Sequence, residues 1–117
     1  MDLNEAIKAH SDWKVKLRGA ISAQSTLDAP TIAKDNCCVL GKWLHGESKS
    51  LFGSMGSHAD CVRHHAAFHR EASKVAEVIN NKRFAEEEKI LAPGSPYAVA
   101  SNAVVIAIGA LKREAKL

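Results

Sequence analysis

Between His58 and Ile79 the water-avoiding positions recur at helical spacing through Val62, Phe68, Ala72 and Ala76, and three histidines, His58, His65 and His69, occupy the same stripe. Side chains three and four apart on a helix leave from one face, so the core-facing side of this segment carries imidazoles. A polar group buried without a hydrogen-bond partner destabilises a protein by about 1–3 kcal/mol. A fold that keeps this stripe must therefore bring partners, or a cation, to the rings. His65 and His69 are four apart, which places their Cβ atoms about 5 to 6 Å from each other and lets one cation bridge both.

The rest of the chain divides around that helix. From Leu3 to about Gln24, residues Leu3, Ala6, Ile7, Trp13, Leu17, Ala20 and Ile21 keep a helical period, with His10 inside the stripe. Asp2 is the expected N-cap, with Glu5 three residues on as a weak capping box. Residues Ser25 to Pro30 form a connection. Thr31 then opens a short helix expected to run through CCVLGKWLH to Gly46. The long histidine helix starts near Leu51 or nearer Ser57 and stops at Asn80 and Asn81. The charged stretch Lys82 to Ala92 reads as part helix and part loop, and Pro93-Gly94-Ser95-Pro96 is a break. A last helix follows from about Tyr97 to Lys116, with Ser95 as N-cap and Pro96 at the first helical position. The expected fold is all-α, a four-helix bundle with an additional short helix carrying the Cys-x-x-Gly-Lys-Trp segment.

With 117 residues, the expectation is a single domain spanning residues 1–117. Only 5% of its residues are aromatic, which suits aliphatic helix packing. Sixteen Lys and Arg are scattered among thirteen acids, with no clustered basic face, so a nucleic-acid partner is not expected. The N-terminus lacks the apolar run of a signal peptide, and the most apolar stretch, Ala103 to Leu111, is about half a membrane span. The expectation is therefore no membrane and a cytoplasmic location, in keeping with three cysteines, an odd number that forms no disulfide framework. The last helix is apolar nearly all round from Ala98 to Leu111, which predicts that Val99, Val105, Ile106 or their neighbours bury against a second copy in a homodimer.

His65 and His69, a thiolate from Cys37 or Cys38, and His10 from the first helix together suit a soft divalent metal in a closed tetrahedron. Adjacent residues on a helix point about 100° apart, so only one of the two cysteines can face inward. Periodicity slightly favours Cys37, nearer the Leu40, Trp43 and Leu44 stripe. Cys61 is a rival, since His58, Cys61 and His65 share a face, a set that would leave His69 as core. His45 and His64 read as solvated surface residues.

The stretch Cys38-Val39-Leu40-Gly41-Lys42-Trp43-Leu44, the segment His10 to Trp13 before it, and H-x-x-F-H at His65 to His69 after it resemble the chemoreceptor zinc-binding domain family. The resemblance extends over nearly the whole chain, including Gly94-Ser95-Pro96-Tyr97 and Ser101. It implies a zinc site of His10, Cys38, His65 and His69, against the periodicity preference for Cys37. It also implies attachment to bacterial chemoreceptors or diguanylate cyclases, with zinc occupancy or thiolate oxidation altering chemotaxis or cyclic-di-GMP output.

Competing functions lack their motifs. Ala66, Ala67 and Phe68 separate His65 from His69, so the glutamate of a metalloprotease H-E-x-x-H is missing. No histidine has an acid three residues before it, as a di-iron bundle requires. The expectation is a binding module and no enzyme, with a zinc-stapled dimerisation module as the alternative that shares the same residues.

Overall fold

A computed structural model describes residues 1–82, 86 and 89–117. Among these, six helices and no strand occur: α1 (Leu3–Ala23), α2 (Ala29–Ile32), α3 (Val39–His45), α4 (Glu47–Phe52), α5 (Gly56–Asn80) and α6 (Pro96–Glu114). The expected all-α bundle is present. The reading of residues 82–92 falls in part on 83–85, 87 and 88, which lie outside the described residues.

The long helices begin and end where their polar flanks direct. Asp2 accepts hydrogen bonds from the backbone N–H groups of Asn4 and Glu5 at 2.9 and 3.3 Å and starts α1. Gln24 ends it in the left-handed conformation. Ser95 accepts from Ala98 N–H at 3.2 Å, with Pro96 at the first turn, and starts α6 after Gly94 has made the positive-φ turn.

Between residues 29 and 45 the structure departs from the expectation of one short helix. Asp28 caps α2 by accepting from Thr31 N–H and Thr31 Oγ1, α2 stops at Ile32, and α3 starts only at Val39. Asp35 and Asn36, side chains that compete with helical backbone bonds, occupy the gap. Both cysteines consequently precede α3.

The core lies between α1, α5 and α6, where Leu17, Phe68, Ile79, Val104, Ile108 and Leu111 are fully buried or nearly so. Each such side chain contributes about 1.5–3 kcal/mol on removal from water. Ala72 and Ala76 on α5 and Ala100 and Ala107 on α6 are also buried, and small residues of this kind let two helices approach closely. One face of α6, with Tyr97, Ala100, Val104, Ala107, Ile108 and Leu111, is covered by α5 and α1 of the same chain. Val105 rests half-buried against the core, whereas Val99 and Ile106 remain 58% and 69% exposed.

The short helices are tied to α5 by specific hydrogen bonds. Asn80 exchanges two with the backbone of Leu27, at 2.7 and 2.8 Å, and Ser73 Oγ donates to Ala29 O at 3.0 Å. These links hold α2 along the C-terminal half of α5 and so fix the start of the 33–38 turn. No helix among the described residues is long and apolar enough to cross a membrane.

Candidate metal centre

His10 leaves α1 on its buried side and is 3% exposed. Its Nδ1–H donates to the Ala6 carbonyl one turn back, at 2.8 Å. That bond selects the tautomer and leaves Nε2 with a free lone pair. Nε2 is itself buried and has no hydrogen-bond partner among the described residues.

His69 is fixed the same way by a different element. Its Nδ1–H donates at 2.9 Å to the carbonyl of Ile32, the last residue of α2. Carbonyls in the last turn of a helix have no partner within it, so α2 offers an acceptor where the ring needs one. His65 stands one turn before His69 on α5 and is fully buried, with Nε2 facing His69 Nε2 at 3.0 Å. Its Nδ1 has no partner among the described residues.

Cys38 reaches the rings because it is the N-cap of α3. Its backbone is extended, and Sγ accepts from Gly41 N–H at 3.3 Å. Gly41 is required here, since a Cβ at this position would run into the carbonyl oxygen of Asp35. The bare glycine lets the 35–36 turn lie on the first turn of α3, and that approach aims Cys38 inward. Sγ comes to 3.2 Å from His65 Nε2 and 3.6 Å from His69 Nε2.

One ligand atom from each of His10, Cys38, His65 and His69 thus falls within 4.8 Å of all the others. Zinc bonds of about 2.0–2.1 Å to nitrogen and about 2.3 Å to sulfur give a regular tetrahedron edges of about 3.3–3.6 Å. The separations among His65, His69 and Cys38, 3.0, 3.2 and 3.6 Å, lie within tenths of an ångström of these edges. Protons shared among the rings and the thiol can serve His65, His69 and Cys38 but leave His10 Nε2 without a partner. A cation accepting four lone pairs serves all four ligand atoms, although His65 Nδ1 keeps no partner among the described residues in either case, and three imidazoles with one thiolate are a donor set suited to zinc.

The electrostatics suit the same occupant. Burial holds the imidazoles of His10 and His69 below the ordinary histidine range. Burial, helped by the neighbouring His69 and His10, lowers His65 to about 3. All three rings are therefore neutral at pH 7 and able to donate lone pairs. Burial pushes the Cys38 thiol up, opposed by the backbone N–H groups of Gly41 and Leu40. The thiol consequently needs a cation to lose its proton.

Other candidates stay apart from this cluster. Cys37, which periodicity favours, is exposed, and its thiol sits 3.6 Å from Asn36 Oδ1. The periodicity argument fails because both cysteines lie before the helix whose stripe it uses. Cys61 is buried in the core, with its thiol pushed up to about 12 by burial. His58 is buried beside Ser48, with His58 Nε2 and Ser48 Oγ 3.1 Å apart. The set of His58, Cys61 and His65 is thus not brought to one point. His45 is exposed and paired with Asp35 at 3.0 Å, as a surface residue should be, while His64 is half-buried. Sequence reasoning missed Asp35 and the Ile32 carbonyl. A glycine two residues before Trp43 was the available sign that another segment crosses there.

The family model described as the chemoreceptor zinc-binding domain matches residues 10–76. The match contains all four clustered residues and leaves α6 outside, so it is narrower than the resemblance read from the sequence. No curated protein and no solved structure matches the chain.

Proposed function

The chain belongs to the chemoreceptor zinc-binding domain family, and from that premise we propose that His10, Cys38, His65 and His69 hold one zinc ion in a sensory module. The reading is carried by the convergence of these four donors within 4.8 Å. It is supported further by Ala6 and Ile32, whose carbonyls turn two of the rings so that Nε2 faces the centre. Such outer partners orient ligands and raise their basicity. Bound zinc would keep the Cys38 sulfur deprotonated.

Cys38 is the movable ligand. It lies on the short segment between α2 and α3, whereas the three histidines sit on the long helices α1 and α5. When Cys38 is oxidised, or zinc falls too low to hold it, its sulfur leaves the rings and also drops the Gly41 N–H. The first turn of α3 then loses its cap, a loss of about 1 kcal/mol, and loosens from α5 while three imidazoles remain. A fully enclosed sulfur would suit a permanent staple better, but Cys38 is only half-buried.

The exposed Val99 and Ile106 lie seven residues apart on one face of α6 and would bury against the same face of a second copy. A change in α3 would reach a chemoreceptor or diguanylate cyclase partner through that dimer. The module binds and signals and turns over no substrate.

The test is metal analysis of purified protein before and after oxidant, together with its mass in solution. One zinc per chain, a dimer, and loss of zinc on oxidation are expected. Cys38→Ala should weaken zinc binding by more than about 100-fold, beyond the ~10- to 100-fold effect of losing an outer partner. Unchanged affinity would remove Cys38 from the site.

A further inference from the structure

The three cysteines have three different surroundings. Cys61 is completely enclosed on α5, with a thiol that stays protonated. Cys38 is half-buried against His65 and His69. Cys37 is exposed, and nothing in the metal cluster employs it. Two surface cavities open onto both adjacent cysteines. One, of about 470 Å³, is walled by Met1, His10, Trp13 and Val39 as well as the pair. The other, of about 240 Å³, is walled by Trp13, Ile32 and His69 as well as the pair. Small solutes can thus approach the surface that the two adjacent cysteines share.

We propose that Cys37 is the resolving thiol of Cys38: after a peroxide oxidises Cys38, Cys37 closes a disulfide with its neighbour in the chain. This inference rests on Cys38 being a metal ligand, as proposed above. In the first step the Cys38 thiolate attacks one peroxide oxygen. An S–O bond forms, the O–O bond breaks and hydroxide leaves, so sulfur is oxidised to a sulfenic acid and the peroxide is reduced. In the second step the Cys37 sulfur attacks the Cys38 sulfur. The S–S bond forms, the S–O bond breaks, and the departing hydroxide takes the Cys37 proton and leaves as water.

Adjacency gives this disulfide a particular character. Neighbouring Cα atoms across a trans peptide are about 3.8 Å apart, closer than the about 4.4–6.8 Å of ordinary disulfides. A bond closed at that separation is strained and readily reduced. It therefore suits a site that must reset, and it intercepts the sulfenic acid before further, irreversible oxidation. Closing it also turns the Cys38 sulfur away from both histidines and from Gly41, so oxidation and uncapping of α3 become one event. Cys61 cannot substitute, because it is enclosed in the core.

The experiment uses the full chain loaded with Zn²⁺ and treated with a several-fold excess of hydrogen peroxide. Released zinc is read with a chromophoric chelator, and the products by intact mass and peptide mapping without reductant. A chain lighter by two hydrogens, with the link between Cys37 and Cys38 of one molecule, zinc released, and zinc binding restored by reduced glutathione, is the expected result. In Cys37→Ser, zinc loading before oxidation should match the parent, Cys38 should advance to the sulfinic acid, and recovery with glutathione should fall severalfold. Equal recovery in Cys37→Ser, or a link to Cys61 or between two chains, overturns the proposal. A parent chain that carries no zinc before oxidation overturns the metal reading instead, while the disulfide is still read independently by mass.

Discussion

His58 and His65 stand two helical turns apart on one buried stripe of α5 and meet opposite surroundings. At His58 the protein supplies a complete answer: Ser48 donates its hydroxyl proton to the Trp43 carbonyl at 2.7 Å, and its oxygen faces His58 Nε2 at 3.1 Å. At His65 the nearest polar atoms are another imidazole nitrogen at 3.0 Å and a sulfur at 3.2 Å. Residue type and burial are the same, so neither distinguishes a core histidine from a ligand. The distinction lies in whether the neighbours bring donors and acceptors in balance or more lone pairs than protons.

Four measurements separate the two regions. Chelation is expected to have the largest effect. At free zinc about 1,000-fold above the dissociation constant, the bound ion stabilises the fold by about 4 kcal/mol, and a chelator should remove that gain in thermal unfolding. His58→Ala protein should show the same zinc-dependent gain on a lower baseline. A melting temperature that ignores chelator would erase the contrast between the two histidines.

Substitution at His65 comes next. His65→Ala should weaken zinc by about 100-fold or more, equivalent to about 2.7 kcal/mol, whereas His58→Ala should leave affinity nearly unchanged. Competition against a chromophoric chelator measures both, and equal losses would mean that His58 belongs to the site. A smaller effect is expected from Ser48→Ala, which strands the His58 ring nitrogen. It should lower stability by about 2 kcal/mol in chemical denaturation, with zinc stoichiometry unaltered.

The mildest effect is the pH response of metal-free protein. The folded-state value of His65 is depressed from 6.5 to about 3, so between these values the unfolded chain binds the extra proton. Stability should be full above 6.5 and fall as pH drops, with His65 contributing about 1 kcal/mol over the first unit. His65→Gln should lessen this slope, to which the similarly depressed His10 and His69 also contribute, while Ser48→Ala keeps it. A slope that survives His65→Gln unchanged would assign the titration elsewhere.

Much of the fold was legible because its signals are local. Asp2 and Ser95-Pro96 start helices through bonds to residues two or three positions on, and the stripe on α5 needs only its own period. The 29–45 region was misread for the opposite reason. An unbroken helix through CCVLGKWLH satisfied periodicity, but Asp28 and Cys38 each cap a new helix, and the crossing of Asp35 over Gly41 depends on contacts between segments. That error also produced the preference for Cys37, since the helical rule was applied to residues outside a helix.

The amino-acid order alone determined that α1, α5 and α6 form and that imidazoles lie on the buried sides of α1 and α5, because helix periodicity and capping are properties of short stretches. Only the tertiary structure decided that His58 finds a hydroxyl while His65 and His69 find each other and Cys38. That choice depends on where Ser48, Ile32 and the 33–38 turn come to rest against α5, and such positions arise from packing between segments distant along the chain.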